Sequence, residues 1–226
     1  MKQFSLYDIL GVLAPGMVLT MGIIALYPDT IKVIPNKEFS LGDLGIVVLV
    51  SYVAGNLVAA LGNLLEIPYW RFFGGQHTDL ARRNNAQVIP VRQMVAVEVR
   101  LRGAGILKAE ENTAGLTYGE WRGITRQIYA YVGARKMTQR IDTFNAQYGM
   151  NRGIAAGFLA LIAMTILHSR FVLWKVQLIL LICTALATYR MHRFSRYYAA
   201  ELFRQFLVSP EAAPTAETAK RTTEES

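Results

Sequence analysis

The sequence holds a single cysteine, Cys183, and three histidines among its 226 residues. One thiol closes no internal disulfide, and no His or Cys spacing matches a metal site, so a disulfide scaffold and a zinc centre are both excluded as expectations. The chain also lacks a phosphate-cradling glycine loop, a G-x-G-x-x-G fingerprint, a nucleophile elbow and an H-E-x-x-H helix. No catalytic residue, metal or cofactor is therefore assigned. Charge is scarce where apolar residues crowd: Leu44 to Leu65 is a run of 22 residues without one, bounded by Asp43 and Glu66. About 20 such residues, at ~1.5 Å rise each, cross a ~30 Å hydrocarbon core as one helix.

Hydrophobic residues make up 53% of the chain and charged ones 18%, which implies membrane spans together with an aqueous part. The apolar runs are Ile9 to Tyr27, Leu44 to Leu65, Gly153 to about Leu167, and Phe171 to Tyr189. A tight turn at Arg170, with Lys175 snorkelling to the headgroups, joins the last two. The first run has only Lys2 before Asp8 and no small-residue cleavage site, so it is read as a retained span. The expected fold is mainly α: four transmembrane helices in two hairpins, a cytoplasmic helical insert with minor β between the second and third spans, and a C-terminal amphipathic helix. Its divisions are 1–65 for the first hairpin, 66–152 for the basic insert, 153–189 for the second hairpin, 190–208 for the amphipathic helix and 209–226 for a disordered tail. Between Glu66 and Arg152 stand 13 basic residues against seven acidic ones, and Arg190, Arg193 and Arg196 follow the last run. The positive-inside rule then places both termini and the insert in the cytoplasm, with anionic inner-leaflet lipids against the basic C-terminal helix.

Tyr7-Asp8-Ile9-Leu10-Gly11, then Ala14-Pro15-Gly16, with Arg152-Gly153 opening the third span, resembles a group of small four-span bacterial inner-membrane proteins. Some proteins of that build act as membrane-permeabilising effectors in anti-phage defence. The resemblance implies such a role and transfers no functional residue.

Two patterns carry the functional expectation. In the second span Ser51, Gly55, Ala59 and Asn63 recur every four residues, with Asn56 beside them, and in the third Gly153 and Gly157 form a small-xxx-small pair. Such faces pack helices closely in lipid, within one protomer or between copies, and the two asparagines could instead line a pore. In the insert, Thr117 and Glu120 have capping-box spacing at the start of a helix read as running from Tyr118 to Tyr148. Its apolar stripe passes through Trp121, Ile124, Ile128 and Tyr131, then shifts after Gly133 to Met137, Ile141, Phe144 and Tyr148. Another face carries Arg122, Arg126, Arg135 and Arg140 near Tyr129 and Tyr131. Guanidinium forks pair with phosphate and rings stack on bases, so this face is the candidate site for an anionic nucleotide or oligonucleotide, against the plainer alternative of a solvated or headgroup-facing surface.

The remaining insert is read more simply. A short helix is expected from Thr78 to Val88, with His77 as an exposed loop residue, and a strand over Val95 to Arg102, where apolar and polar residues alternate. The reading that follows is a homo-oligomeric channel or pore-forming effector and not an enzyme. The alternative is a non-conducting scaffold that recruits a cytoplasmic partner, and a lipid-acting enzyme built on His77 and Asp79 is the least favoured.

Overall fold

A computed structural model of the chain describes residues 6–33, 41–83, 88–167 and 174–210. Among the described residues the protein is mainly helical, 85%, and no strand occurs. The described residues form seven α-helices, in order α1 Leu6–Leu26, α2 Leu41–Phe72, α3 His77–Arg82, α4 Val91–Gly103, α5 Tyr118–Ala134, α6 Gln139–Leu167 and α7 Trp174–Val208. Short 3-10 turns cover Pro28–Val33 and Thr113–Gly115. The Arg170 turn, the tail beyond Pro210, residues 84–87 and the side chain of Asp8 lie outside the described residues.

The chain divides into two compact units. The first comprises Met1–Gln76 with Ile141–Tyr198, and the second His77–Arg140 with Ala199–Ser226. Two stretches, Gly42–Arg82 and Gln139–Leu167, are long and apolar enough to cross a membrane, and Gly11–Leu26 is a shorter apolar helix. Only 22% of the apolar window in the first of these is buried within the protein. Leu49, Leu57 and Leu64 on α2 are 65%, 64% and 65% exposed. A core helix of a water-soluble protein would cover such side chains, so α2 carries the surface expected of a helix in lipid.

Glycine sets how the first unit packs. A Cβ on Gly16 of α1 would overlap the Ser51 carbonyl oxygen of α2 and lie 2.6 Å from the Gly55 nitrogen. One on Gly55 would lie 2.9 Å from the Val12 carbonyl carbon. The two backbones therefore touch, which only residues without side chains permit. Helix α6 joins through Gly153, whose Cβ would lie 2.8 Å from Pro15 Cγ, and the Tyr27 hydroxyl donates to the Met164 carbonyl at 3.2 Å. Pro15, read from sequence as a helix interruption, is thus a surface against which α6 rests.

Two expectations for the second unit are corrected. Val95–Arg102 lies inside α4, where Met94, Val97 and Leu101 form a buried stripe at spacings of three and four while Val91, Val95 and Val99 face outward. The alternation that suggests a strand is the overlap of these two helical stripes. The long helix expected from Tyr118 to Tyr148 is broken: α5 ends at Ala134 and α6 begins at Gln139. Between them Lys136 takes φ 58°, its N–H bonds the Gly133 carbonyl at 2.9 Å, and the Met137 N–H bonds the Val132 carbonyl at 3.2 Å. This is a Schellman end with lysine where glycine is usual, and it accounts for the shift of the apolar stripe. Gly74 and Gly105 close α2 and α4 in the same way, with φ of 78° and 68°.

The expected capping box is present. The Thr117 hydroxyl accepts from the Glu120 N–H at 3.4 Å, and the Glu120 carboxylate accepts from the Thr117 N–H at 2.8 Å. The Thr117 hydroxyl also donates to the Glu120 carboxylate at 2.7 Å, and this bond, with the smaller help of the Thr117 N–H, holds the carboxyl below the ordinary carboxylate range. Thr117→Ala is expected to destabilise the unit by ~1 kcal/mol, the usual worth of an N-cap. Thermal unfolding followed by circular dichroism measures it, and NMR titration should show the Glu120 carboxyl moving back upward. Behind the cap, Trp121 stacks on Phe203 of α7 at 5.8 Å and its indole N–H donates to the Thr78 carbonyl at 2.8 Å. The end of α7, through Leu202, Phe203 and Phe206, is therefore part of this unit's core.

Candidate functional site

Helix α5 buries Trp121, Ile124, Ile128 and Val132 on one side, so residues about half a turn away must face outward. Arg122 and Arg126, one turn apart, are exposed there, and their guanidinium groups make no hydrogen bond or ion pair among the described residues. Tyr118, one turn before Arg122, and Tyr129, three residues after Arg126, are exposed on the same side. Two cations thus stand between two rings, the groups that pair with phosphate and stack on a base in general.

The other two arginines expected at this site are engaged elsewhere. Arg135 covers the Tyr131 ring at 3.5 Å and donates to the carbonyls of Tyr131, at 3.0 Å, and Pro210, at 3.2 Å. Arg140 pairs with the buried Glu201 carboxylate at 3.4 Å. Tyr131 likewise turns from the Arg122 face, its hydroxyl donating to the Pro210 carbonyl at 2.7 Å. Arg100, which donates to the Leu207 carbonyl at 2.6 Å, joins Arg135 and Tyr131 in bonding carbonyls at and just past the end of α7. Their positive charge sits where the helix dipole is negative. Sequence reasoning missed this role because the carbonyls they bind lie 75 to 107 positions away.

His77 is not an exposed loop residue. It opens α3 and is 3% exposed, with Asp79 at 5%. Asp79 pairs with Arg82 at 3.4 Å, and Arg82 donates to the Leu116 carbonyl, so these side chains pin α3 to the start of α5. No group of three His, Cys, Asp or Glu side chains suited to a metal occurs among the described residues.

The small-residue face of α2 is partly redistributed. Ser51, Gly55, Val58 and Gly62 are its buried positions, Ala59 is half-buried, and Asn56 and Asn63 are exposed. A strict spacing of four advances ~40° around a helix at each step, so Asn63 lies ~120° from Ser51. Asn56 donates to the Tyr52 carbonyl at 2.9 Å along its own helix. Gly153 and Gly157 are both buried, and a Cβ on Gly157 would touch Pro15, Val18 and Val58 at 3.6 to 3.8 Å.

At the end of the uncharged run stands a cluster that no sequence pattern announced. Glu66 forms an ion pair with Arg152, and its carboxylate accepts from the Tyr148 hydroxyl at 2.6 Å and the Gln76 amide at 2.7 Å. The Trp70 indole N–H in turn donates to the Tyr148 oxygen at 2.9 Å. The Glu66 and Arg152 side chains are 15% and 20% exposed, so this is a largely desolvated charge pair whose carboxylate accepts from Arg152, Tyr148 and Gln76, while Arg152 Nε has no hydrogen-bond partner among the described residues. It ties α2 to α6 where both leave the apolar stretch, beside Gly62, whose Cβ would meet Arg152 Cγ at 3.2 Å. No protein-family model, no curated protein and no solved structure matches this chain.

Proposed function

We propose that the chain is a multi-pass protein of the bacterial inner membrane that assembles into a homo-oligomeric channel or pore-forming effector, opened when a nucleotide or oligonucleotide binds Arg122 and Arg126. The observation that carries the membrane part is the unburied leucine surface of α2. The apolar stretches of α1, α2, α6 and α7 supply four spans in two hairpins, with both termini and the His77–Arg140 region cytoplasmic. Asn56 favours a conducting oligomer: it stands near the middle of a lipid-facing span, and the polar capacity left after its bond to the Tyr52 carbonyl is costly there unless a second copy or a water path satisfies it, while Asn63 lies near the end of the same span. Four spans enclose no aqueous path alone, so several copies around a closed axis would be needed. Enzymatic chemistry has no part in this reading. The effector role follows the resemblance of the Ala14-Pro15-Gly16 and Arg152-Gly153 motifs.

Connectivity supplies a route for gating. Helices α6 and α7 run unbroken across the chain's divisions at 140/141 and 198/199, whereas the third crossing passes through Gly74 and Gly75. Ligand affinity that differs between two states of the second unit would shift the position of helices that continue into the bilayer. The test is ion flux from liposomes holding the purified protein, with and without a panel of nucleotides and short oligonucleotides. Arg122→Ala with Arg126→Ala is expected to abolish the ligand-dependent flux while insertion stays at the wild-type level. A double variant that still responds removes the proposed site, and inserted, oligomeric protein that never conducts favours the scaffold.

A further inference from the structure

The first unit also contains a groove that gating does not employ. Tyr69 and Phe73 of α2 form one wall, and Leu181, Thr184, Thr188 and His192 of α7 the other, around a volume of about 450 Å³. The α7 residues follow one another at spacings of three and four, so they make a single stripe along the helix. From Leu181 to His192 the helix rises ~16 Å, close to the ~15 Å hydrocarbon depth of one leaflet. The groove is therefore one leaflet long.

Its two ends differ in chemistry. Leu181 and Ala185 make the first end aliphatic, and Leu181 is exposed, so the groove opens sideways onto the unburied apolar side of α7, with Ile182 and Leu186 beside it. At the other end the Tyr69 hydroxyl lies 3.1 Å from His192 Nδ1, and the imidazole stacks on Trp70 at 5.5 Å. Arg196, one turn further along α7, is exposed and cationic there, and together with burial it disfavours a proton on His192. A neutral imidazole beside the exposed Arg196 guanidinium, which stands 5.8 Å from the Tyr197 ring, leaves positive charge open to solvent at this end of the groove. Apolar length followed by hydrogen-bonding side chains and then a cation is the order of an anionic phospholipid read from chain to headgroup.

We propose that this groove seats an anionic inner-leaflet phospholipid, one acyl chain lying along Leu181 to Thr188 and the phosphate against Arg196. The proposal rests on the membrane reading and is independent of whether the protein conducts. A lipid bound there would bridge α2 and α7, and so make their packing depend on headgroup charge.

The test is native mass spectrometry of the full chain released from vesicles of equal phosphatidylglycerol and phosphatidylcholine. Retained phosphatidylglycerol is expected to exceed phosphatidylcholine several-fold, and Arg196→Gln should cut that preference about fivefold, the effect of one basic residue at an anionic surface. Ala185→Trp, which fills the groove, should displace both lipids. Equal retention of the two lipids by inserted protein overturns the groove and leaves the membrane reading intact. So does a preference that survives Arg196→Gln, a surface change that stands even where Ala185→Trp fails to fold. Protein that does not partition into vesicles at all overturns both.

Discussion

Gly16→Val is expected to prevent α1 and α2 from pairing. The valine Cβ would overlap the Ser51 carbonyl oxygen and crowd the Gly55 nitrogen, and both obstacles are backbone, which no rotamer change relieves. Overpacking a core costs about 1–3 kcal/mol where side chains can yield, and more where they cannot. The helices would have to separate, and with them the Pro15 surface on which Gly153 rests. We expect the variant to be lost as monodisperse protein on detergent extraction. The control is Gly11→Ala on the same helix, where an added Cβ meets nothing within 4 Å. It should be extracted normally and should gain ~0.5–1 kcal/mol from the better helix former. Equal behaviour of the two variants would remove close backbone approach as the basis of the pairing.

The second large effect is at the charge pair. Arg152→Leu strands the Glu66 carboxylate in a site it shares with Tyr148 and Gln76, and breaking a buried pair in this way costs about 3–5 kcal/mol. Glu66→Gln combined with Arg152→Leu removes both charges and keeps an amide oxygen for Tyr148 to donate to. The double variant should therefore be more stable than Arg152→Leu alone, read as melting temperature in detergent. Purely additive losses would mean that the two groups act independently and that the ion pair contributes no coupling.

What was legible in the sequence was local. The capping box at Thr117 and Glu120 needs only three residues of context, and the uncharged run of α2 needs only its own composition. The arginine face was half legible: the period of α5 put Arg122 and Arg126 outside, but nothing nearby in sequence could show that Arg135 and Arg140 hold Pro210 and Glu201. Val95 to Arg102 misleads because valines at every second position are also valines at every fourth, and a helix uses the latter spacing to leave Val91, Val95 and Val99 outside. Glu66 and Arg152 each stand at the end of an apolar run, where a charge is ordinarily interfacial. Only the meeting of α2 and α6 turns two boundary residues into a pair. Likewise His77 looked like a loop histidine because Gly74 and Gly75 precede it, and its burial depends on the packing of α3 against α5.

The core of the second unit includes Phe203 and Phe206, which lie near the end of the chain, whereas its other members come from His77 to Arg140. During synthesis, at about 5–20 residues per second, the ribosome therefore finishes the arginine-bearing helix several seconds before the aromatic plug that completes its fold. For that interval Trp121 has no Phe203 to stack on, and the nascent unit stays open. A transcript truncated anywhere before codon 203 would yield the apolar helices of the first unit without a completed second unit. The order of the chain thus makes closure of that unit wait for α7 to be made.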